Sequence, residues 1–235
     1  MDTQTRHALK GDKFAQATKT SVTWLSGHRS GVVRWAIATG VVVVLGVALA
    51  VFWNVREASA NAALGSALDT YSAFLAEPGA PPQKGTFASA AERSKAANQQ
   101  FVAVADQYGW LPQGAKAQYF AGVTYRELGQ QAQAETELKK AADSWDRNLS
   151  NLAKLALASL YHQTGRDAQA IDLYNAIIAK PSETVSAGAA QLGLADLYVA
   201  GGKQDQARAL WAKVKDSDKD GAAGSIAAQK LAGGQ

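Results

Sequence analysis

The stretch DSDKDG at 216–221 is the strongest candidate for chemistry in this 235-residue chain. Asp216, Asp218, Asp220 and Gly221 satisfy the first half of a calcium loop, in which alternate carboxylates converge on one cation and a glycine makes the sharp turn. The second half is missing. The twelfth position, where a bidentate glutamate should close the shell, is Ala227, and the five residues before it, AAGSI, carry no carboxylate. An aspartate-rich turn capping a helix accounts for the same residues without a metal. The three histidines are His7, His28 and His162, and there is no cysteine, so no pair of soft ligands shares one helical turn. A G-x-S-x-G elbow, a phosphate-cradling loop and a glycine-rich dinucleotide turn are all lacking. The expectation is a protein without catalytic residues, metal or cofactor.

What the chain does repeat is a frame of packing residues. Tyr125, Tyr161 and Tyr198 recur after 36 and then 37 residues. Each is followed four residues on by glycine (Gly129, Gly165, Gly202) and nine on by alanine (Ala134, Ala170, Ala207). Thirteen on comes a large side chain: Leu138, Tyr174 or Trp211. Three residues before each tyrosine stands a small one, Gly122, Ala158 or Ala195, and eight before stands Ala117, Ala153 or Ala190. Small residues let a second helix approach closely, and a glycine at +4 takes the left-handed conformation that ends the first helix. The alanine and the bulky residue lie one turn apart on the second helix, facing the first. A helical hairpin repeated at this period stacks into an α-solenoid.

The frame resembles the tetratricopeptide repeat, its small residue matching Gly122, Ala158 and Ala195 and its aromatic the three tyrosines. Two features depart from that pattern. Gln118, Lys154 and Gln191 stand where a tryptophan is expected, and the closing proline survives only as Pro181. The spacing also exceeds the usual ~34 residues, which implies longer loops between repeats.

Charge separates the chain into two parts. Residues 1–34 carry a net charge of +4, and residues 35–235 hold 18 basic and 18 acidic groups. The folded part therefore lacks the basic excess of a nucleic-acid binder. Trp35 to Trp53, WAIATGVVVVLGVALAVFW, is nineteen residues without a charge. As a helix it spans roughly 28 Å, close to the hydrocarbon thickness of a bilayer. Trp35 and Phe52-Trp53 suit the two interfaces, and the basic tail favours the cytoplasmic side, which would leave everything after Asn54 outside. The competing reading is a cleaved signal peptide with Ala58-Ser59-Ala60 as its processing site. Ala36-x3-Gly40 and Gly46-x3-Ala50 could bring two such helices together. Without cysteine the exported part has no disulfide, and lipid attachment through an N-terminal cysteine is excluded.

These observations predict an all-α chain: a basic cytoplasmic tail (1–34), a transmembrane helix (35–54), a degenerate first repeat (55–108), three regular repeats (109–217) and a C-terminal cap (218–235). In the first repeat the periodicity predicts a helix over 55–76, with Leu64, Leu68, Tyr71 and Leu75 on one stripe. EPGAPPQKGT at 77–86 interrupts it, and a partner helix follows from about Phe87 to Tyr108 carrying Ala97, Phe101 and Val104. The cap helix is expected to bury Ile226 and Leu231.

The resemblance to tetratricopeptide repeats implies an inner groove lined by the first helix of each hairpin. With the register set at Ala115, Asn151 and Gly188, its residues are Tyr119, Val123 and Arg126, then Leu155, Ser159 and His162, then Leu192, Asp196 and Val199. The lysine-asparagine clamp that such repeats use for C-terminal carboxylates is missing. The set suits an extended or helical apolar segment, unless the cap or the N-terminal helix covers it. Tail, span, outward repeats and the GSIAAQKLAG segment at 224–233 resemble the YfgM-type translocon-associated periplasmic family. That resemblance implies an ancillary translocon subunit, held in the inner membrane, that passes exported chains to periplasmic chaperones by binding alone. The expected partners are translocon subunits, chaperones or client chains, with neither nucleic acid nor a small-molecule substrate. An envelope-assembly or division scaffold is the alternative, and a calcium-responsive regulator built on 216–227 ranks below it.

Overall fold

Nine α-helices make up the described residues, 29–77 and 85–233, of the computed structural model. The tail segment with His7 and His28, most of the proline-rich insertion (78–84) and the last two residues lie outside them. In order the helices are α1 (Arg29–Ser72), α2 (Ala90–Tyr108), α3 (Pro112–Glu127), α4 (Gln131–Ala142), α5 (Arg147–Gln163), α6 (Asp167–Ala179), α7 (Ala187–Ala200), α8 (Gln204–Ser217) and α9 (Ala222–Gly233). The only β pairing among these residues is an isolated parallel bridge, Leu75 with Phe87. The chain divides into two units, residues 1–56 and 57–235.

In the first unit α1 is long and apolar enough to cross a membrane, and its aliphatic side chains from Val33 to Val55 are exposed. The Arg56 guanidinium lies 5.7 Å over the Phe52 ring.

The second unit is a stack of helical hairpins. Local signals fix the helix starts. Ser89 accepts from the Glu92 N–H, Asp146 from the Asn148 N–H and Ser186 from the Ala189 N–H, while Pro112 opens α3. The ends of the first helices are fixed by the tyrosine-glycine frame. Gly129, Gly165 and Gly202 have φ of 73°, 73° and 72°. With the chain turned there, the next N–H reaches back to the tyrosine carbonyl: Gln130 to Tyr125 at 2.9 Å, Arg166 to Tyr161 at 2.7 Å, Lys203 to Tyr198 at 2.8 Å. The interval of four is thus the geometry of a glycine-closed helix end.

Packing follows the same frame. Ala134, Ala170, Ala207 and Leu138 are fully buried, and Tyr174 and Trp211 nearly so. The need for a small residue before the tyrosine is explicit at Gly122, where a Cβ would stand 2.6 Å from Leu138 Cγ. Three apolar clusters run along the stack. Ala60, Leu64, Ala67 and Phe101 anchor the first, Leu138, Leu160, Tyr174 and Ile177 the middle, and Trp211, Val214 and Ala227 the last. A polar link beside the middle cluster ties the first regular repeat to the second. Glu135 on α4 accepts from Arg166 at 2.7 Å, from Lys139 at 2.7 Å and from the Tyr161 hydroxyl at 3.2 Å.

The first repeat and the cap differ from expectation. Helix α1 ends at Ser72, leaving Leu75 off the helix and exposed, because the chain there turns into the bridge with Phe87. Helix α2 begins at Ala90 rather than Phe87, since the Ser89 cap sets its start. In α9 Ile226 is exposed and Ala227 is buried. A side chain at Gly224 would collide with the Asp218 carbonyl, so α9 presses its smallest face, Gly224 and Ala227, inward and turns Ile226 out.

Candidate partner-binding groove

Helices α3, α5 and α7 are the first helices of the three regular hairpins, and each presents its groove positions about one turn apart. None of the nine residues is fully buried: Tyr119, Val123, Arg126, Leu155, Ser159, Leu192 and Val199 are half-buried, and His162 and Asp196 are exposed. Tyr119 and Leu155 rest on the middle cluster, and Leu192 and Val199 on the last. These four apolar members therefore have one side seated on the core and the other open, the condition for a preformed apolar contact.

The polar members are partly engaged. His162 Nδ1 lies 2.7 Å from Asp167 Oδ1, an exposed pair at the turn into α6. The Ser159 hydroxyl accepts from Gln163 Nε2 at 3.5 Å. Burial raises the Tyr119 hydroxyl above its ordinary range, the nearby Arg126 charge working in the opposite sense. Beneath the groove Tyr174 is raised too, by burial and then by the Asp196 carboxylate. Both phenols are neutral at physiological pH and offer a hydroxyl rather than a charge.

At the third repeat the cap enters the groove. Lys230 of α9 bonds to Asp196 Oδ1 at 3.0 Å and lies 5.9 Å over the Trp211 ring. Asp196, Val199, Trp211, Arg208, Gln229 and Lys230 line an open cavity of about 770 Å³. The cap forms one wall of this end rather than a cover over all of it. Trp211 Nε1, in that wall, has no acceptor among the described residues. Sequence reasoning placed Asp196 and Val199 here and missed Trp211, Arg208, Gln229 and Lys230 as lining. In the sequence Trp211 marks a packing position of the frame, and α9 carries no repeat pattern to signal Lys230.

The aspartate-rich turn is built as a cap. Asp218 Oδ2 accepts from the Gly224 N–H at 3.1 Å, and its carbonyl accepts from the Gly221 N–H at 3.1 Å. No three histidine, cysteine or acidic side chains converge among the described residues.

Hairpins closed by glycine after a tyrosine, stacked through alanine onto a bulky residue, point to one repeat class, and residues 189–220 match the family of the tetratricopeptide repeat. The fold is tetratricopeptide-like. Repeats of this class are interaction modules, so the chain is a helical-repeat protein of the kind that binds other proteins. No curated protein and no solved structure matches the chain.

Proposed function

We propose that this protein is a membrane-anchored, extracytoplasmic binding protein that serves the export of other proteins, as an ancillary translocon subunit or an adaptor that passes emerging chains to chaperones. On this reading residues 1–34 are a cytoplasmic tail, 35–54 a retained single-pass anchor in the inner membrane, 55–108 a degenerate first repeat, 109–217 three repeats and 218–235 the cap, the last three facing the periplasm. The carrying observation is the open row Tyr119, Leu155 and Leu192, which repeats an apolar contact along successive first helices, in a chain that also holds a helix long and apolar enough to cross a membrane. An unfolded or helical client segment presents apolar side chains at intervals that such a row can meet. Retention of the anchor is supported by Ala60, the last residue of the alternative processing site, which is fully buried in the first cluster. The mechanism is binding without bond making.

The test is photo-crosslinking in living cells from Tyr119, Leu155 and Leu192, with identification of the trapped partners. Adducts with translocon subunits, periplasmic chaperones or exported chains are expected. Adducts with envelope-assembly or division factors instead would reassign the protein to a scaffold, and no adduct at any of the three would end the groove assignment.

A further inference from the structure

Leu192, Asp196 and Val199 fall at i, i+4 and i+7 on α7 and share one face of that helix. Leu192 belongs to the groove row, and the other two line the cavity of about 770 Å³ between α7, α8 and α9. A segment lying on this face therefore passes from the row into the cavity. Its volume lies within the ~300–1,000 Å³ of ordinary ligand pockets.

The cavity differs in chemistry from the row that leads to it. Val199 and the Trp211 indole give it an apolar wall. Its charged groups are Arg208 and Lys230 against one carboxylate, Asp196, in a chain whose residues 35–235 are electrically balanced. Lys230 Nζ donates to Asp196 Oδ1 at 3.0 Å, so these two charges offset each other and Arg208 carries the surplus. Arg208 is itself engaged in the structure, but a guanidinium has five N–H donors in a planar fork and can serve more than one acceptor. The Gln204 and Gln229 carboxamides bring further N–H donors to the lining. Trp211 Nε1 is buried without an acceptor among the described residues. Surplus positive charge beside an apolar wall is complementary to a carboxylate next to an apolar group.

We propose that this cavity takes an acidic side chain of a bound client segment, a glutamate or aspartate that follows an apolar residue. The apolar group lies against Val199 and Trp211, and the carboxylate meets the Arg208 guanidinium. The proposal rests on the binding reading above and adds a selection rule to it. Leu155 and Leu192 ask only for apolar bulk, whereas the third repeat asks for charge of one sign. A lysine at the same place in the client meets Arg208 and is disfavoured.

The full chain in mild detergent is titrated with three peptides, GSLFEAG, GSLFQAG and GSLFKAG, all amidated and carrying the same N-terminal rhodamine, and binding is followed by fluorescence anisotropy. The glutamate peptide is expected to bind roughly 2–5-fold tighter than the glutamine peptide, the yield of one exposed ion pair, with the lysine peptide weakest. In Arg208→Gln the glutamate and glutamine peptides should bind alike. Arg208→Lys should keep the preference for glutamate, and circular dichroism should show unchanged helix content in both variants. A glutamate peptide that binds no tighter than the glutamine peptide overturns the proposal. So does the absence of binding by any of the three at millimolar concentration, or a preference that survives Arg208→Gln. Adducts from Leu155 in cells judge the groove reading separately. Their presence leaves that reading standing when the proposal falls, and their absence together with no peptide binding ends both.

Discussion

The collision built into Gly122 gives the sharpest test of why the repeat frame demands a small residue. Gly122→Ala adds one methyl, and its carbon would stand 2.6 Å from Leu138 Cγ, 2.9 Å from Cδ2 and 3.1 Å from the Leu138 backbone nitrogen. Leu138 is fully buried and cannot swing aside, and the backbone nitrogen belongs to α4 itself. Overpacking of this kind costs about 1–3 kcal/mol. Alanine in mid-helix regains about 0.8–1 kcal/mol over glycine. With contacts this short against a buried side chain and a backbone atom the steric term outweighs the gain, and a net loss of up to about 2 kcal/mol is expected. Leu138→Ala alone should cost about 2–5 kcal/mol, through lost burial and the cavity left behind. In that background the new methyl meets space, so Gly122→Ala should become stabilising by up to about 1 kcal/mol. The coupling between the two sites is then the steric term itself, about 1–3 kcal/mol, above the ~0.3–0.5 kcal/mol scatter of independent mutations. Urea unfolding of the four proteins in mild detergent, followed by far-ultraviolet circular dichroism, measures it. If Gly122→Ala raises the midpoint with Leu138 present, or costs the same with Leu138 gone, close approach of α3 and α4 is not what the frame encodes.

Other outcomes test the polar features. Arg166 first, then Lys139 and the Tyr161 hydroxyl, hold the Glu135 carboxyl down from 4.5 to about 2. A depressed folded value means the stabilisation is complete above the unfolded value and is lost as pH falls from about 5 through 2. Glu135→Gln should cost about 0.5–1 kcal/mol at neutral pH, discounted for solvent screening, and nothing near pH 2, as read from urea midpoints across that range. Asp218→Ala removes the acceptor for the Gly224 N–H and should cost about 1 kcal/mol, with amide exchange in α9 rising most. Millimolar calcium should give no binding heat with the native chain, and a saturable heat lost in Asp218→Ala would restore the calcium reading. Lys230→Ala breaks an exposed ion pair, so its effect on stability should stay below about 1 kcal/mol. Crosslinking from position 196 should increase if the cavity belongs to the groove, and an unchanged yield would separate the two.

The tyrosine-glycine interval was legible because it is local. Five consecutive residues contain the carbonyl, the turn and most of the hydrogen-bond path of a helix end. The alanine and bulky positions were legible because the hairpin repeats them in register. The ends of the first repeat were not, since Leu75 and Phe87 meet across a proline-rich insertion and no periodicity links them. Ile226 misled for a different reason. Hydrophobicity ranks it above Ala227, but the close approach at Gly224 decides which face turns inward, and that contact with Asp218 exists only in three dimensions. The wall of the cavity was hidden in the same way, because Lys230 and Asp196 are 34 residues apart and on different structural units of the repeat pattern.

Stacking neighbour upon neighbour also sets a timetable. Synthesis at ~5–20 residues per second delivers one repeat of this length every ~2–7 s. Helix and hairpin closure takes microseconds, so each hairpin can dock as soon as its second helix is free. At every moment of synthesis one apolar face waits for the next helix. When α8 has just formed, that face is Ala207, Trp211 and Val214, and it stays uncovered until residues 222–233 arrive. A short, alanine-rich α9 shortens that interval, because few residues must emerge before Ala227 and Leu231 close the stack.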